Sequence, residues 1–322
     1  MINYKSTAFS YRQVVNGKVV LGNPSSIFIL EDNEEFSRET MSELGVSENY
    51  PITCFVKRID NSNKNYDIFY YNLDGSQAYM CGSGNMSTAF ILNRLFNVNR
   101  VNFYFDTAPF KVKISDNLIV ADIENDGIVF LERKTHDFLP MIEWDESIES
   151  IVESFLIDRS SIVEILRAPE LNDLIFVLDD NMVLRKMKPD FAKMAIILER
   201  LDMRNLCVTA LGSQEQFDFE TRIFVPHDNL NEDLACGSSS LAIAKYWSEK
   251  TGKNSFNVLF PYHMEYDDQT IGGVQFIKIQ DNKTMVGGYC DSITQNFRIL
   301  KHPGCSRLVY TSTFDYAELQ TT

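Results

Sequence analysis

The chain has 322 residues, 44% of them hydrophobic, and its 45 acidic side chains against 30 basic ones give a net charge of −15. That supports two ordinary domains and argues against disorder, while the negative surface repels nucleic-acid backbones and anionic membranes. No apolar run reaches the ~18 residues of a membrane span, and "MINYKSTAFSYRQ" holds no apolar signal core, so the expected location is cytoplasmic.

The first third reads as strands. "SSIFILED", "ITCFVKRI", "YDIFYYNL" and "VNFYFDTA" are β-branched and aromatic runs separated by turn residues. "KVKISDNLIVADIEN" reads as a hairpin turning at Asp116-Asn117. One helix is predicted from Gly84 to about Asn97, with Phe90, Ile91, Leu95 and Phe96 on its apolar stripe. The acidic segment "MIEWDESIESIVESFLIDRSSIVEIL" is expected to cross between domains, giving 1–135 and 136–322, with the last residues free to pack back on the first. The pattern then restarts. "DLIFVLD", "NLCVTAL", "FDFETRIFV" and "GGVQFIKIQ" are predicted strands, and "KPDFAKMAIILERLD" and "SSSLAIAKYWSEKTG" predicted helices, the second stopped by Gly252.

Six cysteines are present: Cys54, Cys81, Cys207, Cys236, Cys290 and Cys305. No spacing among them suits zinc, so no metal is expected; the chain is too large and too poor in cysteine for a disulfide framework, and most read as small buried hydrophobes. Two stand apart. "MCGSGN" and "ACGSSS" each run from a polar turn through Cys-Gly-Ser into a helix of small residues, 155 positions apart (81 to 236). Two similar α+β halves with one cysteine loop each follow from that repetition. A helix N-terminus presents unpaired N–H groups and partial positive charge, which favour a bound anion and an ionised thiol. Two such loops facing each other suggest a two-base machine: one thiolate removes a proton from a carbon and the opposite thiol returns one. The blander reading of Cys81 and Cys236 is a buried small residue at each helix start.

"NLDGSQAYMCGSGN" resembles the first active-site segment of diaminopimelate epimerases through Asn72, Asp74, Gly75, Ser76, Met80, Cys81, Gly82 and Gly84, with Ser83 replacing an asparagine. "LACGSS" resembles their second segment through Leu234 to Ser238, with Ser239 replacing a glycine. "GNPSSIFIL" and "RIFVPHDNLNED" are similar to segments of a sister family, the phenazine-biosynthesis PhzF-like isomerases. The resemblance implies paired α+β domains of the diaminopimelate epimerase-like fold, each a curved sheet around a central helix, with the active site in the cleft between them. It further implies a homodimer and a cofactor-independent amino-acid racemase or epimerase acting on a small amino acid or related carboxylate.

On that resemblance Cys81 and Cys236 are the two bases, and Gly82, Ser83, Gly84, Gly237 and Ser238 hold the α-carboxylate through backbone N–H groups. Asn23, Asn72 and Asn172 are candidate substrate contacts, against roles as turn or cap residues. His227 and Asp228 stand where diaminopimelate epimerases carry a Glu-Arg pair, so diaminopimelate is not the expected substrate, and His227 becomes a side-chain contact. The alternative is a PhzF-like isomerase shifting a proton in a small unsaturated or cyclic acid. That family's shuttling glutamate aligns here with Ile52, leaving Glu48, Glu232 and Asp233 as the candidate acids, the last two also as helix caps.

Overall fold

The computed structural model describes residues 2–15, 17–31, 34–106, 117–141, 145–155, 157–212, 215–226, 231–261, 263–264, 267–292, 298–302 and 305–309. Mixed α and β elements alternate along it, with strands predominating.

The helix predicted after Cys81 spans Gly82–Phe96 and ends at Asn97, whose left-handed backbone (φ 53°) sends its N–H to Asn93 O. Ser83 to Ala89, Ile91 and Leu92 are all buried. A helix covered on nearly every side needs small residues, and this stretch supplies Ser83, Gly84, Ser87, Thr88 and Ala89. The expected stripe is half right. Ile91 is buried, whereas Leu95 and Phe96 are 44% and 40% exposed, because the last turn carries them out of the covered region.

Strands close around this helix. Ile2–Val15 pairs with Asn23–Leu30, which runs parallel to Ile52–Arg58; that pairs with Asn65–Asn72, then in turn come Arg100–Tyr104, Leu118–Ile123, Ile128–Lys134 and Lys283–Ser292. Lys283–Ser292 pairs back onto Ile2–Val15, so the ladder is a ring without a free edge. Of the hairpin expected around Asp116-Asn117, residues 107–116 lie outside the described residues.

Lys283–Ser292 also pairs with Val274–Gln280, which opens a second array through Ser255–Leu259, Phe219–Phe224, Asn205–Leu211, Asp173–Leu178 and Ile162–Ala168. This sheet packs against the helix Ser240–Thr251, which stops at left-handed Gly252 as expected. Tyr246 OH donates to Glu164, Trp247 Nε1 to Thr209 Oγ1, and Ser240 Oγ to Gln275, tying the helix to three different strands. Asp173–Leu178 and Phe219–Phe224 are buried at every position, the mark of strands covered on both faces. The second cover includes the helices Glu146–Phe155 and Phe191–Arg200, whose Ile148, Ile151, Phe155, Met194 and Leu198 pack on Leu174, Phe176 and Phe224. The acidic segment expected to cross between halves therefore contributes a packed helix. The helix Arg38–Glu48, capped by Ser37 and ended by left-handed Asn49, was not anticipated; it buries only Met41 and Gly45, so its apolar periodicity is faint.

Candidate active site

The first cysteine loop follows a tight turn. Asp74 Oδ1 accepts from the Ser76 N–H and hydroxyl, Asn72 Nδ2 donates to Ser76 Oγ, and Gly75 N–H returns to Asn72 O. Cys81 is the N-cap residue of the central helix, in extended backbone conformation. Its sulfur lies 3.1 Å from Ser83 Oγ and receives the N–H groups of Ser83 and Gly84. A methyl group on Gly84 would lie 2.6 Å from the sulfur of fully buried Cys54, so glycine here lets the helix start pack on the strand behind it.

The second loop has a cationic brace. Arg204 donates two parallel hydrogen bonds to Asp173 at 2.8 Å each, and reaches Ser238 Oγ at 3.1 Å and Ser239 Oγ at 3.3 Å. Ser239 commits its hydroxyl proton to Asp173 at 2.8 Å, so toward the Cys236 thiol, 3.5 Å away, it serves as acceptor. Cys236 is 7% exposed and its other neighbour is Ser238 Oγ at 3.4 Å.

Cys81 and Cys236 line one cavity of about 840 Å³, together with Asn72, Gly82, Ser83, Asn172, Gly237 and Ser238. Gly84 is not among its lining residues, and neither is Glu48, which is ion-paired with Lys5. Asn23 lines it, but its amide donates to Asp233 Oδ1 at 2.9 Å and Ala235 O at 3.3 Å, tying the strand Asn23–Leu30 to the second cysteine loop. Asn172 likewise has both ends engaged, accepting from Arg167 and donating to Asp202 O, in a left-handed turn (φ 60°). Glu232 is locked in a bidentate pair with Arg222, 2.7 Å at each oxygen. His227 and Asp228 lie outside the described residues.

Asp233 links the two sulfurs: its negative charge acts on both thiols. Burial is the larger cause, and it pushes Cys236 up to about 11, with Asp233 adding to the rise and Arg204 and Ser238 opposing it. Cys81 is also raised, by burial first, against hydrogen bonds from Ser83 and Gly84. The expectation that a helix N-terminus makes these thiols readily ionised is thus reversed. A few N–H dipoles do not offset the loss of water around a thiolate.

Several cavity residues carried no sequence signal. Phe9 has a left-handed backbone (φ 64°), at a bulge where Ile2–Val15 slips against Lys283–Ser292. That conformation costs about 1–2 kcal/mol for a side chain of this size. Full burial of the ring offsets it by about 1.5–3 kcal/mol. Its bed includes Gly288, where a methyl group would lie 2.8 Å from the ring, and its tip meets Gly237 of the second cysteine loop. Arg133, His136, Glu170 and Arg204 also line the cavity. Among the described residues no cluster of three or more His, Cys, Asp or Glu could hold a metal, and no helix is long and apolar enough to cross a membrane.

Residues 16–271 match the phenazine biosynthesis-like (PhzC-PhzF) protein family. The chain belongs to that family. An uncharacterized isomerase of Halalkalibacterium halodurans is 22% identical over 284 residues, covering 87% of this chain and 93% of its own. A human phenazine biosynthesis-like domain-containing protein is 21% identical, covering 73% of this chain and 81% of its own. Among solved structures, a putative phenazine biosynthesis PhzC/PhzF protein of Clostridium difficile superposes with a TM-score of 0.70 at 20% identity, covering 93% of this chain and 99% of its own. A PhzF-family protein of Enterococcus faecalis gives 0.69 at 20% identity, covering 91% and 96%. These likenesses establish a shared fold, matching the resemblance read from the sequence.

Proposed function

We propose that this protein is a cofactor-independent isomerase that inverts Cα of an amino acid, with Cys81 and Cys236 as its two acid–base groups. The observation that carries this reading is that both cysteines, Cys81 at the N-cap of the helix Gly82–Phe96 and Cys236 in the turn that leads into Ser240–Thr251, line one cavity together with the carboxylate of Asp233. Names of relatives support the coarser part, an isomerase.

In the mechanism, one sulfur takes the Cα proton as thiolate and the other, as thiol, delivers a proton to the opposite face, so charge is conserved across the step. The starting thiolate is the difficulty. With Cys236 near 11, about one molecule in 10⁴ carries that thiolate at pH 7, equivalent to roughly 5 kcal/mol. An α-ammonium group seated on Asp233 would cancel the negative charge that pushes both thiols up, so an amino-acid substrate would help ionise its own base. The α-carboxylate would fall to Gly237 and Ser238 at the second helix start and to Arg204, whose side chain is 40% exposed. The N–H groups of Ser83 and Gly84 already serve the Cys81 sulfur.

A second reading rests on the same carboxylate: Asp233 itself shuttles the proton in a small unsaturated or cyclic acid, as a PhzF-like isomerase. One experiment separates them. A panel of L-amino acids is held in deuterium oxide with the protein and each α-proton signal followed by NMR. The two-thiol reading expects deuterium to enter Cα with inversion, and Cys81→Ser or Cys236→Ser to abolish exchange with circular dichroism unchanged. Full exchange in either serine variant defeats it. No Cα exchange with any amino acid, together with deuterium uptake into a small unsaturated or cyclic acid that Asp233→Asn abolishes and both serine variants tolerate, selects the second reading.

A further inference from the structure

The cavity holds a hydrogen-bonding pair that the proton-transfer scheme does not use. His136 follows Ile128–Lys134, in the crossing from the first half to the second, and Glu170 stands in the turn before Asp173–Leu178. His136 Nδ1 and Glu170 Oε2 are 2.8 Å apart, and both residues line the cavity. The His136 side chain is 9% exposed.

A carboxylate only accepts, so the proton on this contact belongs to Nδ1. In a neutral ring Nε2 then carries the lone pair. Among the described residues Nε2 has no hydrogen-bond partner, nor is it one of the fully enclosed unpartnered polar atoms. It therefore keeps contact with the open space that His136 lines, as an oriented acceptor. Glu170 is itself held by Lys134 at 3.2 and 3.3 Å, which fixes the ring from behind. The charged groups around the imidazole are Glu170, Arg133, Lys134 and Asp137. Burial, Arg133 and Lys134 pull its pKa below the ordinary 6.5 against the opposing pull of Glu170, in keeping with a neutral ring.

We propose that His136, oriented by Glu170, is a specificity-determining residue whose Nε2 accepts a hydrogen bond from a neutral donor, a hydroxyl or N–H, on the substrate away from its reacting carbon. This rests on the amino-acid reading above and narrows it to side chains that carry such a donor. Leaving a buried acceptor unpaired is what rejects an apolar isostere.

The probes are matched pairs, L-homoserine with L-norvaline and L-threonine with L-valine. Cα exchange in deuterium oxide gives kcat/KM for each in the wild type and in His136→Phe, which keeps an aromatic ring without the acceptor. The expected result is a hydroxyl preference of about 100-fold in at least one pair, erased in the variant by loss on the hydroxyl member alone. An unchanged ratio, or a wild-type preference for the methyl member, overturns the proposal. Long-range 1H–15N spectra of the wild type decide the matter should His136→Phe fail to fold or should no probe exchange. Lack of exchange counts against the amino-acid reading alone. A His136 in the Nδ1–H tautomer whose Nε2 signal moves with homoserine and not norvaline supports the inference. The opposite tautomer, or no movement with either hydroxyl probe, refutes it.

Discussion

Replacing Arg222 by methionine should cost far more than a surface charge. Arg222 and Glu232 are joined by two hydrogen bonds of 2.7 Å, and their side chains are only 10% and 2% exposed. Arg222 Nη1 also donates to Leu184 O at 3.1 Å and Met187 O at 2.9 Å, at the end of the short helix Asn181–Lys186. Methionine keeps much of the length and none of the donors. It leaves Glu232 charged or forced to take up a proton, and strips partners from two carbonyls. Breaking such a pair from one side costs about 3–5 kcal/mol. At ~2.1 cal/mol/K of unfolding entropy per residue over 322 residues, about 4 kcal/mol lowers Tm by about 6 °C. Removing both charges with Arg222→Met/Glu232→Met should restore part of the loss, because no buried charge then remains unpaired. Urea and thermal unfolding followed by circular dichroism measure all three variants. A loss under about 1 kcal/mol for Arg222→Met, or a double variant equal to the sum of the singles, refutes the argument. The functional consequence is local: Glu232 pairs with Phe224 and precedes Asp233, so the clamp sets the approach to Cys236.

Gly84→Ala should destabilise by about 1–3 kcal/mol through overpacking, since its methyl group meets the Cys54 sulfur at 2.6 Å; adding Cys54→Ala should recover much of it, and strictly additive urea midpoints would count against that contact. Because both cavity thiols are raised, Cα exchange should climb with pH from 7, close to tenfold per unit until the pair's first apparent pKa, and Asp233→Asn should move that rise toward acid if the thiols are the bases. A flat profile between pH 7 and 9 would remove the thiolate from the scheme. Stability should fall in alkali. A thiol raised in the fold is protonated there while the unfolded thiol ionises near 8.5, so its contribution is complete below about 8.5 and lost as pH rises toward the folded value, up to about 11 for Cys236. Buried Cys290, raised by burial and then by Asp291, acts the same way, and Cys290→Ala should shrink the drop in Tm between pH 8 and 10; an equal drop in both proteins contradicts the linkage.

What the sequence determined by itself was local chemistry. Gly252 ends a helix because it accepts a left-handed backbone, and Asp173–Leu178 is a strand because its apolar run suits burial on both faces. The two Cys-Gly-Ser loops announced themselves because a helix start beside a turn has a residue pattern of its own, and their resemblance to known segments pointed to the family. The tertiary structure decided everything that depends on what lies across space. Leu95 and Phe96 sit on the helix that the pattern predicted, yet the ring of strands ends before it reaches them. Asn23 is spent on Asp233, 210 positions away, and His136 finds Glu170 34 positions on, pairings for which neither neighbourhood offers a cue. The ionisation of the two thiols was the largest reversal. A helix N-terminus is visible in a string of letters, whereas the burial that outweighs it is a property of the folded chain.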